Sequence, residues 1–598
     1  MRNFNARARV ARMFTCSAVI APLLFANFAA AQPDPNKVFR YSFPVAETGF
    51  DPARVHDLYS SEVINAMFEN LVTYDYLARP PKLVPGVAEA MPVITDEGKT
   101  YTIKLKQGVF FAPDEVFKGK KRELVAEDVV YSLKRHMDPK LKPVWKFLLE
   151  GKIIGLDEVS KEADKTRKFD YDRPVEGLKA LDKYTVQIKL LQTDHNLGYI
   201  LAHTPMVMVA REVIEAAGED TNSRPVGTGP YKLAKWARGS KIELDANPNY
   251  RGFVWNFKSD DPEDQPLIKA MTGKKMPQIG KVEFSIITED QPAMLAFKSK
   301  STDVWRVRPS VADQMLDGAN LNAEMKAASV RLQRETEPEV TYHYINMQDP
   351  IFGGLEKNKI ALRRAIWMAW DVTEQIKVTR KGQSVVANFM IPPGLAGHNS
   401  AYKEGNVKYD PAFANKLLDR YDYKKGADGF RAQPNGEPMV LRYTSEPTDL
   451  GRTYAELFQK GLKEIGINMA YEPTPFAEAL KKEKECKLQM RGAAWIADYP
   501  DGDNFMMLLY GPNTGESNNA CFKNPEYDKL YEQSRKLPNG PERDKIYADL
   551  QRLMEVYAPW RLDDTRMQNF VNHPNVIGYK KHPIYHGGYH YFDIEKQK

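Results

Sequence analysis

The chain has 598 residues, with 85 lysines and arginines against 79 aspartates and glutamates and 42% hydrophobic side chains. That length implies several domains at the usual size of about 150 residues. No block of like charge stands out, which argues against a nucleic-acid surface.

Residues 1–31 have the pattern of a cleavable secretory signal peptide. Arg2, Arg7, Arg9 and Arg12 charge the start with no acid among them, 13–28 is mostly apolar and uncharged, and Ala29-Ala30-Ala31 offers small residues to a signal peptidase. The apolar run is short for a membrane span of about 20 residues and contains Pro22. Cys16 follows Phe14-Thr15, which lack the small side chains a lipid-attachment site wants. Cleavage leaves 81 basic against 79 acidic side chains, a nearly neutral exported protein. No second long apolar run follows, so that protein is expected to be soluble. Cys486 and Cys521 remain. In an oxidising compartment an isolated pair is a disulfide candidate, two free buried thiols being the alternative.

In chain order, 39–43 is a short aromatic strand and Asp51-Pro52 a turn. Val63, Ile64, Met67, Phe68 and Leu71 share one helical face over 62–71. Tyr101, Ile103 and Leu105 alternate with Thr102, Lys104 and Lys106, which predicts a half-buried strand. A helix over 126–136 and a second alternating strand over 184–190 follow. Segments 231–236 and 241–245 form a hairpin around Gly239-Ser240, and 281–287 is another strand. Thr288 and Gln291 fit a capping box opening the next helix. The longest helix is predicted over 357–378, with two more at 411–421 and 450–465. Strands near 467–472 and 487–494 flank a short helix. Strands and helices thus intermix throughout, the mark of an α/β chain. The stretches 112–124, 159–177 and 253–278 read as insertions or loops.

Catalytic signatures are missing. The chain has no Gly-x-Ser-x-Gly, His-Glu-x-x-His or Cys-x-x-Cys, and no complete phosphate loop. Gly227-Thr228-Gly229 is followed by Pro230 and a strand, so no helix N-terminus faces a phosphate; a structural turn is expected. His582, His586 and His590 recur every fourth residue and could contact a metal or haem. Pro583 and Gly587-Gly588 make a helix there unexpected, and a surface turn with ordinary histidines is the default reading.

Several longer segments carry a family pattern. They are Leu83-Val84-Pro85-Gly86-Val87-Ala88-Glu89, Gly98 to Leu105, Ala126-Glu127-Asp128-Val129-Val130-Tyr131-Ser132-Leu133, and Pro225-Val226-Gly227-Thr228-Gly229-Pro230-Tyr231. After them come Leu362-Arg363-Arg364-Ala365 with Asp371, Trp495-Ile496-Ala497-Asp498-Tyr499-Pro500-Asp501, and Asn524-Pro525-Glu526-Tyr527-Asp528. In this order the chain resembles the family 5 extracellular solute-binding proteins, the dipeptide and oligopeptide-binding proteins of ABC importers. The resemblance runs from about residue 38 to 575.

It implies an α/β, two-lobed periplasmic-binding-protein fold with a hinge and an extra domain inserted in the first lobe. The first lobe would comprise 32–80, 206–335 and 561–598, the extra domain 81–205 and the second lobe 336–560, with hinge crossings near 337–342 and 557–563. The ligand, a peptide or another small solute, would lie in the cleft, and the lobes would close over it. The partner would be an inner-membrane ABC permease. A monomer is expected, with no cofactor, no metal and no enzymatic activity. Without a lipid anchor, such a protein belongs in the periplasm between two membranes. The same scaffold could instead hold a nickel complex, haem or an oligosaccharide. An exported hydrolase is the remote alternative.

The resemblance also assigns site residues. Asp498 occupies the position of the Asp that meets a peptide's amino terminus, and a carboxylate in a water-poor cleft pairs strongly with ammonium. Trp495 and Tyr499 flank it as an aromatic wall. Two positions depart from the pattern of oligopeptide binders. The acidic residue expected five places after Asp51 is His56, and the arginine expected three places before Trp495 is Gly492, with Arg491 one further back. His56 and Arg491 are still candidate ligand-binding residues; a one-residue shift changes the face of a strand, so whether Arg491 faces the cleft is open. Val125 stands where a helix-capping Thr is usual.

Overall fold

The computed structural model describes residues 33–55, 57–402 and 408–595. Four main sheets carry the architecture. In the first, Asp34–Phe43 runs parallel to Ile279–Ile286, which pairs antiparallel with the hairpin Lys241–Ala246 and Tyr231–Ala237. Phe39, Phe43, Ile242, Leu244, Val282 and Phe284 from these strands build a core with Val63, Ile64 and Met67 of helix Leu58–Met67.

A second sheet is antiparallel, in the order Val93–Thr95, Thr100–Lys104, Thr185–Lys189 and Leu178–Asp182. The alternation read over 100–106 is realised here: Tyr101, Ile103 and Leu105 are buried against helix Ala126–Arg135 and its neighbours. Val125 gives that helix no side-chain cap. Asp128 takes over, accepting from the Val125 N–H at 2.9 Å while Arg122 grips its carboxylate with both guanidinium nitrogens.

The third sheet has five strands in the order Asn468–Pro473, Val440–Ser445, Met490–Ile496, Glu339–Ile345 and Trp560–Leu562. The fourth centres on Asp564–Asn572, paired with Val304–Arg306, Arg331–Thr336 and Ser384–Val386. The chain crosses between the third and fourth sheets twice. Strand Arg331–Thr336 breaks at Glu337-Pro338 and continues as Glu339–Ile345; Trp560–Leu562 breaks at Asp563 and continues as Asp564–Asn572. The crossing strands pair antiparallel with each other on both sides of the break. Two adjacent strand breaks are the means by which two lobes rotate on a common axis. Buried polar contacts surround them, with the Arg566 Nε 2.5 Å from Glu339 Oε2 in an ion pair and His343 Nδ1 2.5 Å from Asp563 Oδ2.

Several local expectations differ. The single helix over 357–378 is two helices, Lys357–Met368 and Val372–Thr379, because the Asp371 carboxylate accepts from the N–H groups of Thr373 and Glu374 and starts a new helix. Trp370 at the break is buried and donates its indole N–H to Asp563 at 3.0 Å. The capping box at Thr288 and Gln291 does not form. The helix is Asp290–Lys298, its N-cap is Glu289, and no side chain caps it. The stretch 253–278 holds a small hairpin, Phe253–Val254 with Lys275–Met276, and helix Gln265–Met271.

Cys486 and Cys521 form a disulfide, with Cα atoms 6.2 Å apart. Gly227 and Gly229 are a structural turn. A Cβ on Gly227 would come 2.2 Å from Met67 O, so only glycine lets this loop reach the end of helix Leu58–Met67, where Gly229 N donates to the same carbonyl at 2.9 Å. The histidine tail is a correction to the surface-turn reading. His582 and His590 are buried; His582 Nδ1 accepts from the N–H groups of Ile584 and Tyr585, His586 Nδ1 meets Lys581 Nζ at 2.6 Å, and His590 packs on Tyr591. Among the described residues no group of three His, Cys, Asp or Glu side chains is arranged to hold a metal. No helix among them is long and apolar enough to cross a membrane.

Candidate ligand-binding site

Strand Met490–Ile496 ends where Ala497 N donates to Pro338 O at 2.8 Å, beside one of the two crossings. The next turn is built to present Asp498. Asp501 is fully buried and held by both terminal nitrogens of Arg543 at 2.9 Å. Tyr499 Oη donates to Asp503 Oδ2 at 2.6 Å. Asn504, also fully buried, is the clamp. Its carbonyl accepts from Trp495 Nε1 at 3.0 Å and Asp498 N at 2.9 Å, and its amide donates to Asp498 Oδ2 at 3.0 Å.

The Asp498 carboxylate is 15% exposed. Burial pushes its pKa up to about 7, opposed only by the Asn504 amide. Facing it is His203, with Nε2 3.9 Å from Asp498 Oδ1. That is too long for a hydrogen bond. The two titrations also run the wrong way for an ion pair: burial, then the neighbouring His136, pulls His203 down to about 3. The pair is therefore a neutral imidazole beside a carboxyl group that has no counter-cation. His203 rests edge-on against Trp145 with ring centres 4.5 Å apart, and Trp145 Nε1 donates to Val55 O at 2.9 Å. Tyr199 lies parallel to Tyr499, with ring centres 6.3 Å apart and planes 7° from parallel. Tyr74 is buried nearby, its phenol pushed up first by burial and then by the charges of Tyr199 and Asp498.

The structure brings Asp498, Trp495 and Tyr499 together on one segment. Arg491 lies on the Trp495 face: in the pairing with Glu339–Ile345, Trp495 sits opposite Val340 and Arg491 opposite Tyr344, an even number of places apart. Its guanidinium is already engaged. Nη1 meets both Glu483 oxygens at 3.1 and 3.2 Å, and Nη2 meets Glu446 Oε1 at 2.7 Å. Gly492 is on the opposite face, where a Cβ would come 2.7 Å from His343 Nε2. A longer side chain there would displace the buried histidine, which accounts for the missing arginine. His56 lies outside the described residues.

Sequence reasoning missed Asn504, His203, Tyr199 and Tyr74. Asn504 is six residues past Asp498 with no strand or helix spacing to mark it. The other three come from a separate sheet and its helix, and only the fold brings them to Asp498.

A turn held rigid at the end of a central strand, presenting a lone carboxyl to residues of another sheet beside a double strand crossing, defines a two-lobed binding protein that grips a ligand between its lobes. The chain belongs to the bacterial extracellular solute-binding proteins of family 5, whose middle-region pattern matches residues 82–517. It is 26% identical over 568 residues to heme-binding protein A of Haemophilus influenzae, covering 93% of this chain and 92% of that protein. It is 24% identical over 569 residues to di/tripeptide-binding protein 2 of Pseudomonas aeruginosa, covering 94% and 96%. Its fold matches the ABC transporter-associated periplasmic binding protein DppA of Helicobacter pylori, in complex with the peptide STSA, at a TM-score of 0.73 and 21% identity, over 94% of this chain and 99% of that one.

Proposed function

We propose that this protein is the periplasmic capture component of an ABC importer for short peptides. It is exported by cleavage of residues 1–31, works as a monomer without cofactor or catalysis, and delivers its ligand to an inner-membrane permease. Asp498 carries the peptide reading: a buried carboxyl with no counter-cation matches the free ammonium of a peptide. Trp495 walls the same subsite. Tyr499 supports it from behind through Asp503, and Arg491 stays with Glu446 and Glu483 instead of meeting a ligand carboxylate. The first-lobe pieces 32–80, 206–335 and 561–598, the inserted domain 81–205 and the second lobe 336–560 are the bodies that close. The likeness to di/tripeptide-binding protein 2 and to a peptide-bound fold supports this reading.

Haem is the second reading, favoured by the likeness to heme-binding protein A. Calorimetric titration with a panel of di- and tripeptides and with haem, on the wild type and Asp498→Ala, separates the two. Peptide affinity should collapse in the variant, whereas haem, which has no amino group, should bind unchanged. Native mass spectrometry of the freshly purified protein identifies any ligand that accompanies it. Peptide binding indifferent to Asp498→Ala overturns the assignment.

A further inference from the structure

Two buried polar atoms have no hydrogen-bond partner among the described residues: His203 Nε2, 3.9 Å from Asp498 Oδ1, and Tyr74 Oη, on a phenol that feels the Asp498 charge. Leaving such atoms unmade is costly, and native structures rarely do so without a use. They are held in place from outside the site. Asn70 Nδ2 donates to His203 O at 2.7 Å and Leu201 O at 3.3 Å, tying the end of helix Leu197–Ala202 to the segment leading into strand Val72–Tyr74. Trp145 braces the imidazole ring. Burial keeps His203 neutral, so with the proton on Nδ1 its Nε2 presents a lone pair. Oδ1 of Asp498 is 3.9 Å from that nitrogen. An atom about 2.8 Å from both would see them at an angle of about 90°, a workable geometry for two N–H bonds of one ammonium group.

Resting on the reading of Asp498 as the amino-group anchor, we propose that His203 and Tyr74 complete it as a three-acceptor cage. Asp498 Oδ1, His203 Nε2 and Tyr74 Oη each take one N–H of a primary ammonium. The carboxylate supplies charge, and the other two supply selectivity. A dimethylated ammonium keeps its charge but has one N–H, so it satisfies Asp498 and leaves the imidazole and phenol unpaired. The site then discriminates primary amines from tertiary ones by hydrogen-bond count.

The test is calorimetric titration with Ala-Ala-Ala and its N,N-dimethyl analogue. The wild type should prefer the primary amine by about tenfold or more, the usual effect of leaving buried polar groups unpaired. Tyr74→Phe and His203→Phe should each weaken Ala-Ala-Ala about tenfold and leave the analogue nearly unchanged, so the preference shrinks. Asp498→Asn should lose both ligands. If Asp498→Asn loses both while the other two variants keep the wild-type preference, the cage is wrong and the anchor stands. If Asp498→Asn keeps both, the anchor falls and the cage with it. Tyr74→Phe removes a single oxygen and decides the matter by itself should His203→Phe not fold.

Discussion

Asp498→Asn should stabilise the ligand-free protein at neutral pH while it abolishes peptide binding. In the folded protein burial pushes the carboxyl up from 3.8 to about 7. A shift of that size corresponds to on the order of 4 kcal/mol favouring the protonated form, at about 1.4 kcal/mol per unit. The sign follows from proton uptake. The folded protein binds a proton that the unfolded chain does not hold between pH 3.8 and about 7, so this contribution to its stability is fully present below that window and is lost as pH rises through it. Opening of the lobes hydrates the carboxylate and limits the loss, so calorimetry should register a part of it, about 1–3 kcal/mol. Asparagine keeps the acceptor for the Asn504 amide and carries no charge to desolvate. Thermal unfolding of ligand-free wild type and variant from pH 4 to 8 is the assay. The variant should match the wild type near pH 4, exceed it at pH 8, and lack the slope between. In parallel, Ala-Ala-Ala affinity at pH 8 should fall at least a hundredfold, as when one partner of a buried charged pair is removed. Equal pH slopes, or a variant less stable than wild type at pH 8, would refute the claim that Asp498 is a buried carboxylate lacking a counter-charge.

Arg491→Leu strands Glu446 and Glu483, so unfolding should become easier by about 3–5 kcal/mol, while the affinity ratio between a tripeptide and its C-terminal amide stays as in wild type; a changed ratio would make Arg491 a carboxylate-binding residue. Asn504→Ala releases both Trp495 Nε1 and Asp498, and should weaken peptide binding about tenfold with the primary-over-tertiary preference intact, as calorimetry can read. Reducing the Cys486–Cys521 bond, which spans 35 residues, should cost about 3–4 kcal/mol in denaturant unfolding by the chain-entropy argument; coincident curves for oxidised and reduced protein would show that the bond contributes nothing.

What the sequence disclosed was chiefly local. Period-2 alternation placed the strand carrying Tyr101 and Ile103, and the Trp495-to-Asp501 run marked out Asp498, which lies just past a strand end. The helix over 357–378 failed because one helical periodicity spans both halves: Asp371 starts a second helix by capping, while Trp370 is drawn to Asp563 across the hinge. The capping box at Thr288 failed for a related reason. Glu289 became the N-cap, and Asp290 was taken by Arg308 at 2.7 Å, a partner from beyond the following strand. Arg491 shows the limit most clearly. Counting along a strand could compare faces, and the pairing puts Arg491 on the Trp495 face. No count could show that Glu446 and Glu483 converge on it from two other elements.

The same long-range contacts explain why closure should wait for a ligand. Arg535, in the proposed second lobe, reaches Asp194, in the proposed inserted domain, at 3.4 Å, and Lys152 meets the same carboxylate at 2.8 Å. Burial works against that carboxylate's charge, yet these cations hold it below the usual range, so on the proposed division into lobes the contact favours closure. Tyr199 on Tyr499 adds to it. Asp498 acts in the opposite direction, because the closed arrangement buries its charge without a cation. A partly exposed ion pair gives about 1 kcal/mol, less than the desolvation of one ionised carboxyl, so at neutral pH the empty protein gains little by closing. An ammonium delivered to Asp498 removes the opposing cost, and the existing contacts then suffice. On the proposed reading of Asp498 as the ammonium anchor, ligand recognition and lobe closure are the same electrostatic event, set by one residue.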